Sequence, residues 1–391
     1  MAFIELLEPA PRTPPKGLAL WALGFRPFYL LAALWALLAV PLWAAQFAGW
    51  IALPGLTSGW HAREMVFGYT LAVVVGFLFT AGRNWSGQPT PSGGALAALA
   101  ALWVAARVAG LTPWPLAAAL LNAAFAWAAA WGLWRALRGN ANRRNDFFVG
   151  LLVLIGVAAL AWRGTVPTVA LDAVVLMMAV MGGRVIPMFS NNGVPGMQAR
   201  REPRLEQVAL AALWAVLALD VAAAVLGEPA WLVWPRAALL TAAALLHAAR
   251  LALWQPLRTR GVPLVWVLHL AYAWLVVHLL LRAAGDAGWI LPSLATHALT
   301  VGAIGGMTLG MMTRTALGHT ARPLRAGPWE TAAYVCMALA AAARVLVPLL
   351  APALLVGASS TASLLWAAAF ALYLVHYTPI LMRPRLDGRP G

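Results

Sequence analysis

Long apolar runs separated by short polar or Arg-bearing loops set the pattern of this chain. A membrane-spanning helix needs roughly 20 apolar residues. That template fits twelve segments, at about 26–49, 61–82, 94–110, 114–135, 147–163, 166–189, 205–227, 230–254, 262–283, 289–316, 329–350 and 357–381. A helix is the only open-chain structure that satisfies its backbone groups in lipid. The pattern therefore predicts an all-α fold, a polytopic transmembrane helical bundle. It divides the chain into a cytoplasmic N-terminal segment (1–25), one bundle (26–381) and a cytoplasmic tail (382–391). The loops at 190–204 and 316–328 are too short to fold alone, and the two six-helix halves share no evident repeat.

The positive charges test this count. Of the 27 basic residues, Lys16 is the only lysine. With the N-terminus inside and the loops alternating, the inside segments carry 20 of them, including Arg12, Lys16, Arg143, Arg144, Arg200, Arg201, Arg322 and Arg389. The outside ends carry 5, namely Arg107, Arg163, Arg236, Arg282 and Arg344, and Arg63 and Arg184 fall within spans. This bias follows the positive-inside rule, and a missed or extra helix would spoil it. Both termini are expected in the cytoplasm. Trp50, Trp60, Trp85, Trp231, Trp254, Trp289 and Trp329 fall near span ends, where aromatic belts form. The first 17 residues lack the features of a signal peptide.

Composition narrows the function. Of 391 residues, 63% are hydrophobic and 10% charged, against about 25% charged in soluble domains. A soluble enzyme, a disordered chain and a fibrous protein are excluded. The net charge of +15 is spread through loops rather than gathered on one face, so no nucleic-acid partner is expected. The single Cys336 excludes a disulfide framework, a Cys-ligated zinc site and an iron–sulfur cluster. There is no C-x-x-C-H, so any haem would be held non-covalently.

Polar side chains at membrane depth cost at least about 2.5–3.5 kcal/mol on insertion scales, which makes them the place to look for chemistry. Toward the outer half lie His61, Arg63, Glu64, Asp172, Asp220, His278 and His297; toward the inner half lie Arg184, His247, His269, Arg314, Glu330 and His376, with His319 following on the cytoplasmic loop. Imidazole binds haem iron and copper, and with one Cys, His is the main ligand available. No two His stand at i, i+4, so a metal site must draw on different helices. The absence of an adjacent His-His pair argues against a respiratory haem–copper oxidase core. His269 and His278 are nine residues apart, on opposite faces of one helix. His247, His278 and His376 read as packing residues. His61 and Glu64 share a face at i, i+3, with Arg63 pointing elsewhere. Met177, Met181, Arg184 and Met188 form one stripe and Met307, Met311 and Arg314 another. Thioethers suit Cu(I) but also fill packing gaps. Arg184 and Arg314 are candidates to hold haem propionates. The glycines from Gly302 to Gly310, and Gly182 and Gly183, bring helices close or leave room for a flat macrocycle.

Several segments, taken in order, resemble the NnrS family. They are Gly24-Phe25-Arg26-Pro27-Phe28; Trp60-His61-Ala62-Arg63-Glu64-Met65; Gly76-Phe77-Leu78; Arg144-Asn145-Asp146-Phe147-Phe148; Met181-Gly182-Gly183-Arg184 through Phe189; Trp266-Val267-Leu268-His269-Leu270; and His297 through His319-Thr320. The final stretch of the chain matches only in character. The resemblance implies a polytopic protein of the bacterial cytoplasmic (inner) membrane that contains haem b and copper and is linked to nitric oxide stress and denitrification. It raises His61, His269, His297 and His319 as haem or metal ligands. One departure stands out. The family's motif usually reads His-x-His-Glu, and Arg63 occupies the second His, which weakens the expectation of copper relative to haem. The expected partners are membrane lipid and nitric oxide or a related small ligand. The alternative reading is a proton- or cation-coupled secondary transporter using Glu64, Asp172 and Asp220.

Overall fold

The computed structural model describes residues 17–139, 142–161 and 168–388. Arg12, Lys16, Arg163 and Arg389 lie outside the described residues. Twelve helices follow one another: α1 (Phe25–Phe47), α2 (Ser58–Ser86), α3 (Gly93–Gly110), α4 (Pro115–Leu137), α5 (Phe147–Ala161), α6 (Thr168–Gly193), α7 (Pro203–Leu226), α8 (Ala230–Leu253), α9 (Pro263–Asp286), α10 (Pro292–His319), α11 (Pro328–Leu350) and α12 (Pro352–Met382). Eleven are long and apolar enough to cross a membrane; α5, at 15 residues, is shorter. It still runs from end to end of the bundle. Phe148 at its start stacks on Trp85, and Ala161 at its end lines the same cavity as Thr168 and Arg282.

Several helices begin on Pro, including α4, α7, α9, α10 and α11. The first helical position needs no backbone donor, so Pro starts a helix without loss. The two ends of the described chain meet. Ala19 N–H donates to Met382 O at 2.8 Å, and the buried Arg26 guanidinium donates to Leu381 O and Arg383 O at 2.7 Å each. The end of the bundle holding these contacts is called the terminal end here.

Two helices depart from regular α geometry. After His61, α2 widens into a π-helix over Glu64–Thr70, and directly after His297, α10 does the same over Ala298–Gly305. Such wide turns are uncommon and are frequently found at functional sites.

The glycines of α10 are seats for large side chains. A Cβ on Gly302 would stand 2.4 Å from Trp274, one on Gly305 2.7 Å from Trp366, and one on Gly310 2.8 Å from Leu268. Gly183 likewise admits the Arg250 guanidinium. These glycines serve close packing; the space is filled by protein and leaves no slot for a macrocycle there. We expect Gly302→Leu to lower stability by about 1–3 kcal/mol through overpacking. Gly150, where an added Cβ meets nothing within 4 Å, should accept Ala with an unchanged or slightly raised melting midpoint. Thermal unfolding in detergent compares the two.

Candidate metal centre

Two of the histidines meet. His61 sits in the first turn of α2, a turn started by the Thr57 hydroxyl accepting the Trp60 N–H at 3.1 Å. His297 ends the first stretch of α10, and its Nδ1 lies 2.7 Å from Ser293 O. A carbonyl only accepts, so Nδ1–H donates and Nε2 keeps its lone pair. The His61 and His297 rings face each other, 6.3 Å between centroids and 8° from parallel. Trp43 of α1 also stacks on His61, 4.2 Å between centroids. His61 Nδ1 is buried without a hydrogen-bond partner. The rings border a cavity of about 50 Å³ with Met65, Tyr69, Arg344 and Trp366.

The neighbours have defined roles. Met65 stands at i, i+4 from His61, so its thioether and that imidazole share a helix face. Arg344 of α11 is buried, and its Nη1 has no partner. Thr308 donates to Ile304 O at 2.6 Å, so the Tyr69 hydroxyl, 2.5 Å away, donates to Thr308.

The donors that meet here are two imidazoles and one thioether; among the described residues no group of three His, Cys, Asp or Glu side chains stands together. An imidazole binds a metal through a lone pair in the plane of its ring, so the two stacked rings, 6.3 Å between centroids, would turn to present both nitrogens to one ion. Two imidazoles and a thioether suit copper, particularly Cu(I). The space the rings border, about 50 Å³, holds an ion with a small ligand, since one water needs roughly 10–15 Å³ of such space.

The remaining predicted ligands lie elsewhere. His269 Nε2 is 2.8 Å from the Ser190 hydroxyl, and its ring meets Trp254 edge-on. His319 packs against Phe25 at the terminal end. His319 is 22 residues beyond His297 on α10, roughly 33 Å along a helix axis. His61, His269, His297 and His319 therefore do not form one site. Arg184 donates to Asn145 Oδ1 at 2.6 Å, and Arg314 lies over the Phe189 ring at 3.6 Å. Neither borders the His61–His297 cavity. Met177 is buried in packing and Met188 is exposed, so the stripe on α6 is not a ligand row. His247 is satisfied by Tyr272 OH at 2.6 Å and Ala209 O at 3.2 Å, and His376 pairs with Glu330 at 3.3 Å.

The polar residues of the end opposite the termini divide into three groups. The histidine pair is one. Glu64 belongs to a second: it turns toward α3, pairing with Arg107 at 3.2 Å and Arg63 at 3.3 Å, while Arg107 also reaches Asn122. The expectation that Arg63 points away from Glu64 is corrected by this contact; Arg63 also donates to Gly110 O at 2.9 Å. Position 63 thus serves the α2–α3 contact, and the Arg found there leaves the His61–His297 pair intact. The third group is Asp172, Asp220 and Arg282, with Arg282 donating to Asp172 at 2.8 Å and to Asp220. Sequence reasoning missed Arg344, treated only as a loop charge, and Met65. The i, i+4 spacing of His61 and Met65 was the available signal.

Fold and site together define a polytopic helical membrane protein with a half-buried pair of facing histidines. The family described as NnrS protein matches residues 19–385. The chain belongs to the NnrS family, and the match extends through α12, beyond the motifs that carried the resemblance. No curated protein matches the chain.

Proposed function

We propose that this protein binds nitric oxide, or a related small ligand, at a metal ion held by His61 and His297, and thereby protects the cell from nitrosative stress. The observation that carries the reading is the facing pair of imidazoles on a small, partly open cavity. Copper is the metal assigned here, in preference to the haem b that the resemblance implies. Bound copper would supply an open coordination position for a diatomic ligand. The chain does the rest. Ser293 O fixes the His297 tautomer, Trp43 fixes the His61 ring, and the unpartnered Arg344 Nη1 offers a charged donor to a ligand oxygen. By the positive-inside rule we assign the terminal end to the cytoplasm of a bacterial inner membrane, which places the histidine pair near the outer face. The transporter reading loses support because Glu64, Asp172 and Asp220 are all ion-paired.

The test is titration of the Cu(I)-loaded, detergent-purified protein with nitric oxide, followed by absorbance. We expect saturation at one ligand per copper, with Arg344→Leu weakening binding roughly tenfold through loss of one charge-assisted hydrogen bond. Copper that stays bound but does not respond to nitric oxide would overturn the assignment.

A further inference from the structure

Arg344 of α11 is a buried cation with nothing to pair with. It is 6% exposed. Among the described residues no carboxylate stands within ion-pair distance of it and no group accepts a hydrogen bond from it. The other buried guanidiniums are satisfied: Arg26 donates to two carbonyls, Arg107 pairs with Glu64, Arg236 with Asp286 and Arg250 with Glu206. The only acids outside the described residues are Glu5 and Glu8, and the described chain begins at the terminal end, whereas Arg344 lies with the histidine pair at the other. A charge taken out of water without a partner is costly, so this one calls for an anion.

The space for it is at hand. Arg344 lines the cavity of about 50 Å³ that the histidine pair borders, and no Asp or Glu is among the lining residues. Its charge acts on both His61 and His297, which puts the guanidinium beside the rings. Nη1 is sealed; Nε and Nη2 are not, and these two form one edge of the guanidinium plane. Such an edge offers two parallel N–H donors, the match for an oxyanion. The Thr70, Ser359 and Ser363 hydroxyls on the same lining spend their protons on backbone carbonyls. Thr300 has no hydrogen bond to a described residue through its hydroxyl and can donate as well. One water takes roughly 10–15 Å³ of such space, so the cavity admits an oxyanion the size of formate or nitrite and excludes one with an aromatic body.

We propose that this cavity binds a small planar oxyanion of single negative charge, held by the Nε–H and Nη2–H edge of Arg344. The anion site shares walls with the metal centre and needs no metal.

The test is thermal unfolding of the full-length, detergent-purified, metal-free protein, with sodium gluconate replaced stepwise by sodium nitrite, formate or benzoate at fixed ionic strength. A ligand that binds only the folded state raises the melting midpoint as its concentration rises. Nitrite and formate should both raise it along a one-site curve, and benzoate should not. Arg344→Leu should melt higher than the parent protein in gluconate, because it removes an unpaired buried charge, and should lose the response. Arg344→Lys keeps the charge without the planar edge, so it should need at least about tenfold more anion for the same shift. Arg63→Leu, at a cation already paired with Glu64, should respond in full. With no metal present, the result stands apart from that of the nitric oxide titration. No shift with either small anion, an equal shift with benzoate, or a full response from Arg344→Leu would overturn the proposal.

Discussion

His61→Ala and His297→Ala should each, alone, remove the bound copper. Loss of an outer partner that merely orients a ligand costs about 10–100-fold in metal affinity, so losing one of two imidazole ligands should cost at least that. The two rings face each other across 6.3 Å, and neither has a spare imidazole nearby to replace it. The double variant should be little worse than either single one, because the residues act as a unit. His269→Ala, His278→Ala and His319→Ala should keep full affinity, since none of these residues borders the cavity. Competition with a Cu(I) chelator measures the series. Equal loss from His61 and His278 variants, with folding intact, would contradict the pairing.

Arg282→Met should destabilise the bundle by about 3–5 kcal/mol, because removing one partner leaves buried charge uncompensated. Arg282 is the only described cation within ion-pair distance of Asp172; Asp220 would keep a second cation, Arg236, only at 3.7 Å. Adding Asp172→Asn to Arg282→Met should recover part of the loss, since the Asn carries no charge. Urea or thermal unfolding in detergent, with a fluorescence readout from the 21 Trp residues, reads the difference. A cost below 1 kcal/mol, the level of an exposed pair, would show that water or lipid headgroups screen these carboxylates.

The spans were legible because each needs only a length of apolar residues, and predicted and observed helices agree to within a few residues. The predicted span at 147–163 agrees with α5 over Phe147–Ala161, and its last two positions lie outside the described residues. The π-helical stretches were not legible. Nothing in Glu64–Thr70 or Ala298–Gly305 marks a wider turn; in the fold Arg107 packs against Gly68 and Trp274 against Gly302 within these stretches.

The site was half legible. Intramembrane His61 and His297 could be nominated one by one, since each is costly in lipid. Their pairing could not, because it joins α2 to α10 across more than 200 residues of sequence. His269 and His319 carried the same residue chemistry and the same family motifs but face other neighbours, a hydroxyl and a Phe ring. Glu64 shares a helix turn with His61, yet the cations of α3 and of its own turn take it away. Arg184 and Arg314 end their stripes as read, with Arg184 donating to Asn145 and Arg314 lying over the Phe189 ring. His278 reads as a packing residue, and in the fold it is buried with its Nδ1–H donating to Ala295 O.

The most direct test is metal analysis together with an absorbance spectrum of the protein as purified from cells replete in both copper and haem. The account predicts close to one copper per chain and loss of that copper from His61→Ala and His297→Ala alike. A Soret band with stoichiometric iron and no copper, or copper retained in full by both variants, would contradict it.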